Sequence, residues 1–324
     1  MVETSYCRVP VKLIFKFGDV FPYNVYLKLS DSKIVKLSHK DEIIKDTILR
    51  YHKEKGVEDI YVLKEDYLQI TDYFKNQFEN KLFNPETTIE EKVDLLEKSY
   101  SMVKDSLVFA GINQQSIELA KKISESTLRL INESKNVFSL LLKFSANCAE
   151  EYKKSIVIGY LCSGIIDNFD WKSDSIKQKC SLAALLCDIL LSPKEMKEIQ
   201  KLSLELPLTP AAKITVGTHP QRIIQTLNIE TWISKETLAM IEQHHEEQNG
   251  TGFPLGLVHT HISQLSAIFI VAMRFADLLI ENNFNFQNKD SMLATIRSKY
   301  NLGVFKKAVK CLGNLVDAKK SNQL

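Results

Sequence analysis

The sequence predicts an α+β protein: a small N-terminal α+β unit followed by an all-α helical bundle. Three observations carry this. Short stretches before residue 80 alternate apolar and polar residues, as half-buried strands do. Beyond residue 80 that alternation gives way to helical spacing. Proline and glycine breaks then punctuate long helical text. A composition of 44% hydrophobic and 25% charged residues over 324 positions suits a globular chain of two or three units.

Residues 1–80 form the first predicted unit. "RVPVKLIF" (Arg8–Phe15) and "NVYLKLS" (Asn24–Ser30) read as strands. "YLKLSDSKIVKLS" reads as a hairpin turning at Asp31 and Ser32. "HKDEIIKDTILRYHKEKG" changes period, with Ile43, Ile44, Thr47, Ile48 and Tyr51 along one side. Gly56, after a lysine-rich turn, stops that helix. "EDIYVLK" is a further strand.

Residues 81–135 read as a helical linker. Pro85 opens it, and Thr88 with Glu91 is spaced as a capping box. Leu95, Leu96, Tyr100, Val103 and Leu107 keep helical period, and a second helical segment runs from about Gln114 to Asn147. A helical pair of this kind is also a common dimer element, so a homodimer is one expectation. Residues 136–324 form the helical domain, broken at Pro193, "LPLTP", His219-Pro220, the Gly250–Gly256 loop and Gly303. The basic C-terminal "KKAVKCLGNLVDAKK" reads as a solvated helix face.

Charge narrows the function. Lys plus Arg is 42 against 40 Asp plus Glu, which gives no electrostatic reason to expect DNA or a membrane surface. The six cysteines contain no CxxC pair and read as reduced thiols. "MVETSYCRVP" lacks the pattern of a signal peptide. The apolar run "LAALLCDILL" is too short to span a bilayer and contains Asp188. A cytoplasmic protein is expected.

The chemistry-bearing residues lie in the helical domain. Asp188 sits in apolar helical text with no Lys or Arg within four residues. A buried carboxylate needs a cation, a set of donors or a raised pKa, so a metal, a helix N-terminus or a distant Arg would each answer. His219 and Pro220 suit the start of a helix, where Thr218 or His219 caps, and alone His219 reads as a surface or capping residue. His244 and His245 project about 100° apart on a helix and can share one cavity. His245 shares a face with Leu238 and Ile241, so a core histidine and a metal ligand both fit it. In "NGTGFPLGL", Gly250 and Gly252 permit positive φ or close approach of a ligand, and Pro254 stiffens the turn.

Taken in order, the Asp, then His-Pro, then His-His-Glu, then Gly-x-Gly-Phe-Pro resembles the HD-GYP family, a branch of the HD-domain metal-dependent phosphohydrolases. The resemblance spans about residues 140–285 and is strongest in "HHEEQNGTGFPLGL". It implies an HD-type helical bundle holding two or three divalent ions, often iron or manganese, and cyclic di-GMP or a related nucleotide as ligand. Residue by residue, it implies metal ligands at Asp188, His219, His244 and His245, with Glu151 and Asp277 as further candidates. Asp188 would also partner the reacting water, and Gly250, Gly252, Phe253 and Pro254 would form the substrate loop. The N-terminal unit resembles small modules that precede such domains, and implies a protein partner.

The departures are specific. The His of the His-Asp doublet is Cys187, whose thiolate can also bind iron or zinc. The lysine three residues after the doublet is Leu191. The signature tyrosine is Phe253, and the arginine after His-His-Glu is Glu247. An upstream histidine falls on Ser155, and the following helix places Met273 at a ligand position, with Asp277 one turn later. Each missing electrostatic contact costs about 2.7–4 kcal/mol in a transition state. The expectation is therefore a degenerate HD-GYP-like protein of cyclic di-GMP signalling that binds metal, nucleotide or both, with weak or no catalysis. The alternative is an active phosphodiesterase in which a hydroxide bridging two ions attacks phosphorus. A purely structural use of the fold is a third reading.

Overall fold

The computed structural model describes residues 6–14, 19–30, 33–107, 114–133, 141, 143, 148, 150–203, 209–227 and 232–317. Its contacts fall into two units, Met1–Asn84 with Ser101–Ser116, and Pro85–Tyr100 with Ile117–Leu324.

The first unit is the α+β part. Strands β1 (Tyr6–Pro10), β3 (Val25–Ser30), β4 (Lys33–Ser38) and β6 (Asp59–Leu63) form an antiparallel sheet in the order β1-β6-β3-β4. A separate ladder pairs β2 (Val20–Phe21) with β5 (Glu42–Ile43). Pro10 ends an edge strand, where a missing N–H is tolerated. Val9, Val25, Ile60 and Val62 form one core with Tyr67 and Ile70 of α3 (Lys64–Leu82). The periodicity above did not mark α3, which follows β6 directly.

"RVPVKLIF" is not one strand. Pairing stops at Pro10, and Val11–Ile14 forms a short helix, α1. The Val11 N–H donates to the Glu58 carbonyl at 2.9 Å, and Val11 and Ile14, three apart, both enter the core. A strand followed by one helical turn mimics eight alternating residues. Ser30 pairs with Lys33 across the expected hairpin, while its turn residues Asp31 and Ser32 lie outside the described residues. Helix α2 (Lys45–Lys55) ends at Gly56 with φ +65°. Ile43 is not on it but pairs with Val20 and is exposed.

Helix α4 (Ile89–Asp105) begins with the expected box: the Thr88 N–H reaches Glu91 Oε2 at 2.8 Å, and the Glu91 N–H reaches Thr88 Oγ1 at 3.2 Å. Then follow α5 (Gln114–Glu133), α6 (Glu150–Ile166), α7 (Asp174–Leu186), α8 (Pro193–Ser203), α9 (Pro210–Leu227), α10 (Lys235–Gln243), α11 (Gln264–Glu281), α12 (Lys289–Lys299) and α13 (Gly303–Asp317). Serines 173, 234 and 263 cap α7, α10 and α11, each accepting from an N–H in the first turn. Helix α6 packs against α7, α11 and α13, and α10 packs against α7, α9 and α11. Among the described residues, no helix is long and apolar enough to cross a membrane.

Candidate metal centre

Two helix ends and one helix interior bring the candidate ligands together. Asp188 is not inside a helix. Helix α7 stops at Leu186, Cys187 caps it, and Asp188 lies in the turn that follows, where the Leu191 N–H bonds the Asp188 carbonyl at 3.0 Å. The Cys187 thiol faces the Ala184 carbonyl at 3.6 Å, and burial pushes its pKa well up. It is therefore held as a thiol and points at backbone.

His219 does not start a helix either. It sits in the middle of α9, fully buried, with Pro220 inside the helix. A proline there cannot donate to the carbonyl four residues back, which is that of Val216. His219 Nδ1 takes that carbonyl instead, at 2.6 Å. His244 caps α10, and its Nδ1 bonds the Ile241 carbonyl at 2.5 Å. This is one of the carbonyls a helix C-terminus leaves free. In both rings Nδ1 must be the donor, so in the neutral form Nε2 presents a lone pair. That is the arrangement by which a protein orients a metal-binding imidazole.

Those two Nε2 atoms lie 3.1 Å apart. Asp188 Oδ1 lies 3.4 Å from the first and 3.6 Å from the second. Three electron-rich atoms thus face one another in the interior, and Oδ1 has no hydrogen-bond partner. His245 is 1% exposed and stacks on Phe253 with ring centres 4.7 Å apart. Neither of its ring nitrogens has a hydrogen-bond partner. One ligand atom from each of Asp188, His219, His244 and His245 falls within 4.8 Å of the others. A carboxylate and three imidazoles fit a divalent first-row metal ion.

Charge states agree with that fit. Burial opposes ionisation of Asp188, but in the metal-free protein the His219 and His244 imidazoles beside it and the charge of Lys154 outweigh it, holding the carboxyl well below its usual range. Burial lowers the pKa of His244 and lowers that of His245 strongly, the latter reinforced by the neighbouring imidazoles and Arg274. Neutral imidazoles and an ionised carboxylate are the forms that bind metal.

Lys154 is the residue that sequence reasoning missed. It reaches from α6 to Asp188 Oδ2 at 3.9 Å and to Asp277 Oδ1 at 2.9 Å. Burial favours its neutral form, yet the two carboxylates prevail and raise its pKa. Asp277 thus lies outside the four-residue group: it holds Lys154 and sits 3.8 Å from Arg274. The Glu151 side chain lies outside the described residues.

The glycine loop is tied down from below. Glu246 is fully buried, and its two oxygens accept from the Leu255 and Leu257 N–H groups at 2.7 and 2.8 Å. Gly250 has φ +79°. Gly252 is required for space: a Cβ there would lie 2.3 Å from the Glu247 nitrogen. Pro254 follows a cis peptide bond after Phe253, and the Phe253 N–H returns to the His245 carbonyl at 3.1 Å. Glu247 pairs with Arg274 at 3.3 Å and Lys299 at 3.1 Å. Beside His219 a cavity of about 520 Å³ is lined by Leu190, Leu191, Arg222, Ile223 and Thr226. Arg222 is engaged by Glu195 at 2.7 Å.

No family model matches the chain, and no curated protein matches it. Among solved structures it is similar to Bd1817, a HDG"Y"P protein from Bdellovibrio bacteriovorus, with 16% identity and a TM-score of 0.58. The likeness covers 97% of this chain and 100% of that one. The chain has the fold of an HD-GYP protein.

Proposed function

We propose that this chain is a degenerate HD-GYP-like protein of cyclic di-GMP signalling in the cytoplasm. It holds a divalent ion, iron or manganese, and binds the nucleotide with weak or no hydrolysis. The observation that carries this reading is the convergence of two lone-pair-bearing Nε2 atoms and the unpartnered Asp188 Oδ1, each imidazole fixed by a backbone carbonyl. Asp188, His219, His244 and His245 would hold the ion, which when bound supplies Lewis acidity and lowers the pKa of water.

The residues around it support binding over turnover. Leucines 190 and 191 line the cavity beside His219, and its Arg222 is already paired. Phe253 brings an aromatic face without a hydroxyl. The loop from Gly250 to Pro254 would cover the nucleotide, and the N-terminal unit would carry the output to a protein partner. The alternative, an active phosphodiesterase, draws support from the burial and completeness of the four-residue cluster.

The test uses the full chain loaded with Mn²⁺ or Fe²⁺. Binding of cyclic di-GMP is followed by calorimetry, and linear product by chromatography. The expected result is binding with at most trace product. Sustained turnover that Asp188→Asn abolishes would establish the alternative, and absence of both binding and turnover would remove the nucleotide from the account.

A further inference from the structure

We infer that Lys154 is a built-in cation standing where a second metal ion would share the Asp188 carboxylate, so that the centre takes one ion. This rests on the reading of Asp188 and the three histidines as a metal centre. The two oxygens of Asp188 are divided. Oδ1 faces His219 and His244, and Oδ2 faces the Lys154 ammonium at 3.9 Å. A carboxylate shared by two cations is arranged in this way, and here one of the cations is a side chain.

Asp277 completes the ammonium's surroundings at 2.9 Å. Asp188 and Asp277 are oxygen donors of the kind a hard divalent ion takes, and both side chains are about a tenth exposed. Lys154 forms an ion pair with each. It is tethered to α6, which packs on α7 and α11, the helices that carry or adjoin the two carboxylates. At 9% exposure it does not extend into solvent. Charge adds to this: Lys154 faces Asp188 and Asp277, and Arg274 lies between Asp277 at 3.8 Å and Glu247, which Lys299 also meets, so fixed cations already stand against these carboxylates. A further dication there would meet like charge at contact distance in a poorly screened interior.

A reaction that needs water held between two ions is thereby unavailable, whereas one-metal binding is undisturbed. The test counts ions without using activity. The full chain is loaded with Mn²⁺, desalted, and analysed for metal content and by electron paramagnetic resonance. Wild type is expected to carry one ion per chain with an uncoupled signal. Lys154→Ala, checked for folding by circular dichroism, is expected to gain a second ion and a spin-coupled signal, while Lys154→Arg stays at one. Two coupled ions in wild type, or a folded Lys154→Ala that gains none, overturns the inference. If Lys154→Ala does not fold, the wild-type count decides. A wild type that takes no ion overturns the metal reading itself, a separable result.

Discussion

His219 shows how one local rule is put to use. Pro220 has no N–H to offer the Val216 carbonyl, and the His219 imidazole Nδ1–H bonds it instead at 2.6 Å. The expectation that His-Pro marks a helix start failed because proline is also tolerated inside a helix when a side chain satisfies the freed carbonyl. Pro220→Ala restores the competing N–H. It is expected to lower metal affinity about 10–100-fold, the usual cost of losing an imidazole's orienting bond, without unfolding the chain; calorimetric titration with Mn²⁺ measures this, and unchanged affinity would remove the tautomer lock. Gly252→Ala places a methyl against the Glu246 and Glu247 backbone. Backbone cannot swing aside as a side chain tip can, so a loss of about 1–3 kcal/mol or more is expected in denaturant melts. That His244 and His245 can share one cavity was legible in sequence, and their ring centres lie 4.2 Å apart. Lys154 was not, because its partners are distant in the chain and nothing local marks a lysine that turns inward.

At the level of elements, the candidate centre is assembled from two helix ends and one helix interior. Helix α7 stops two residues before Asp188 and α10 one residue before His244, so each end supplies a candidate ligand, and the α10 end also leaves a carbonyl to orient its histidine. The loop after α10 is secured by Glu246, whose two oxygens accept two backbone N–H groups. Glu246→Ala leaves both amides without that acceptor and is expected to cost about 1.5–3 kcal/mol or more. Limited proteolysis should then cut between residues 247 and 258 in the variant and spare the wild type; equal resistance would contradict the anchoring role. Reciprocal signals such as Thr88–Glu91 and the Gly56 stop were legible, because two residues at fixed spacing point to one geometry. The run across β1 and α1 was not, because periodicity cannot see where pairing ends. The end of α7 was hidden in the same way: "LAALLCDILL" is apolar on both sides of the break.

For the whole molecule, the buried centre makes stability depend on pH. Asp188, His244 and His245 all have folded pKa values below their ordinary ones. The unfolded chain therefore binds more protons on the acid side, and stability falls as pH falls. The histidines begin this loss below about pH 6.5, and Asp188 adds to it below about pH 4, the ordinary values of the two groups. The melting temperature of the metal-free protein should drop from pH 7 to pH 5, and a flat profile would contradict the neutral buried imidazoles. The α+β division and the helical domain were legible from periodicity alone. The motif resemblance reached only about residues 140–285, whereas the fold likeness covers 97% of the chain, because a backbone path can be alike where side chains are not.

The most direct test of the central claim is the metal content of the full chain after loading with Mn²⁺ and desalting, compared with Asp188→Asn and His219→Ala. Wild type is expected to retain about one ion per chain and each variant less than about a tenth of that, given the loss of one of four ligands. A wild type that emerges free of metal, or variants that retain as much as wild type, would contradict the assignment of Asp188, His219, His244 and His245 as a metal centre.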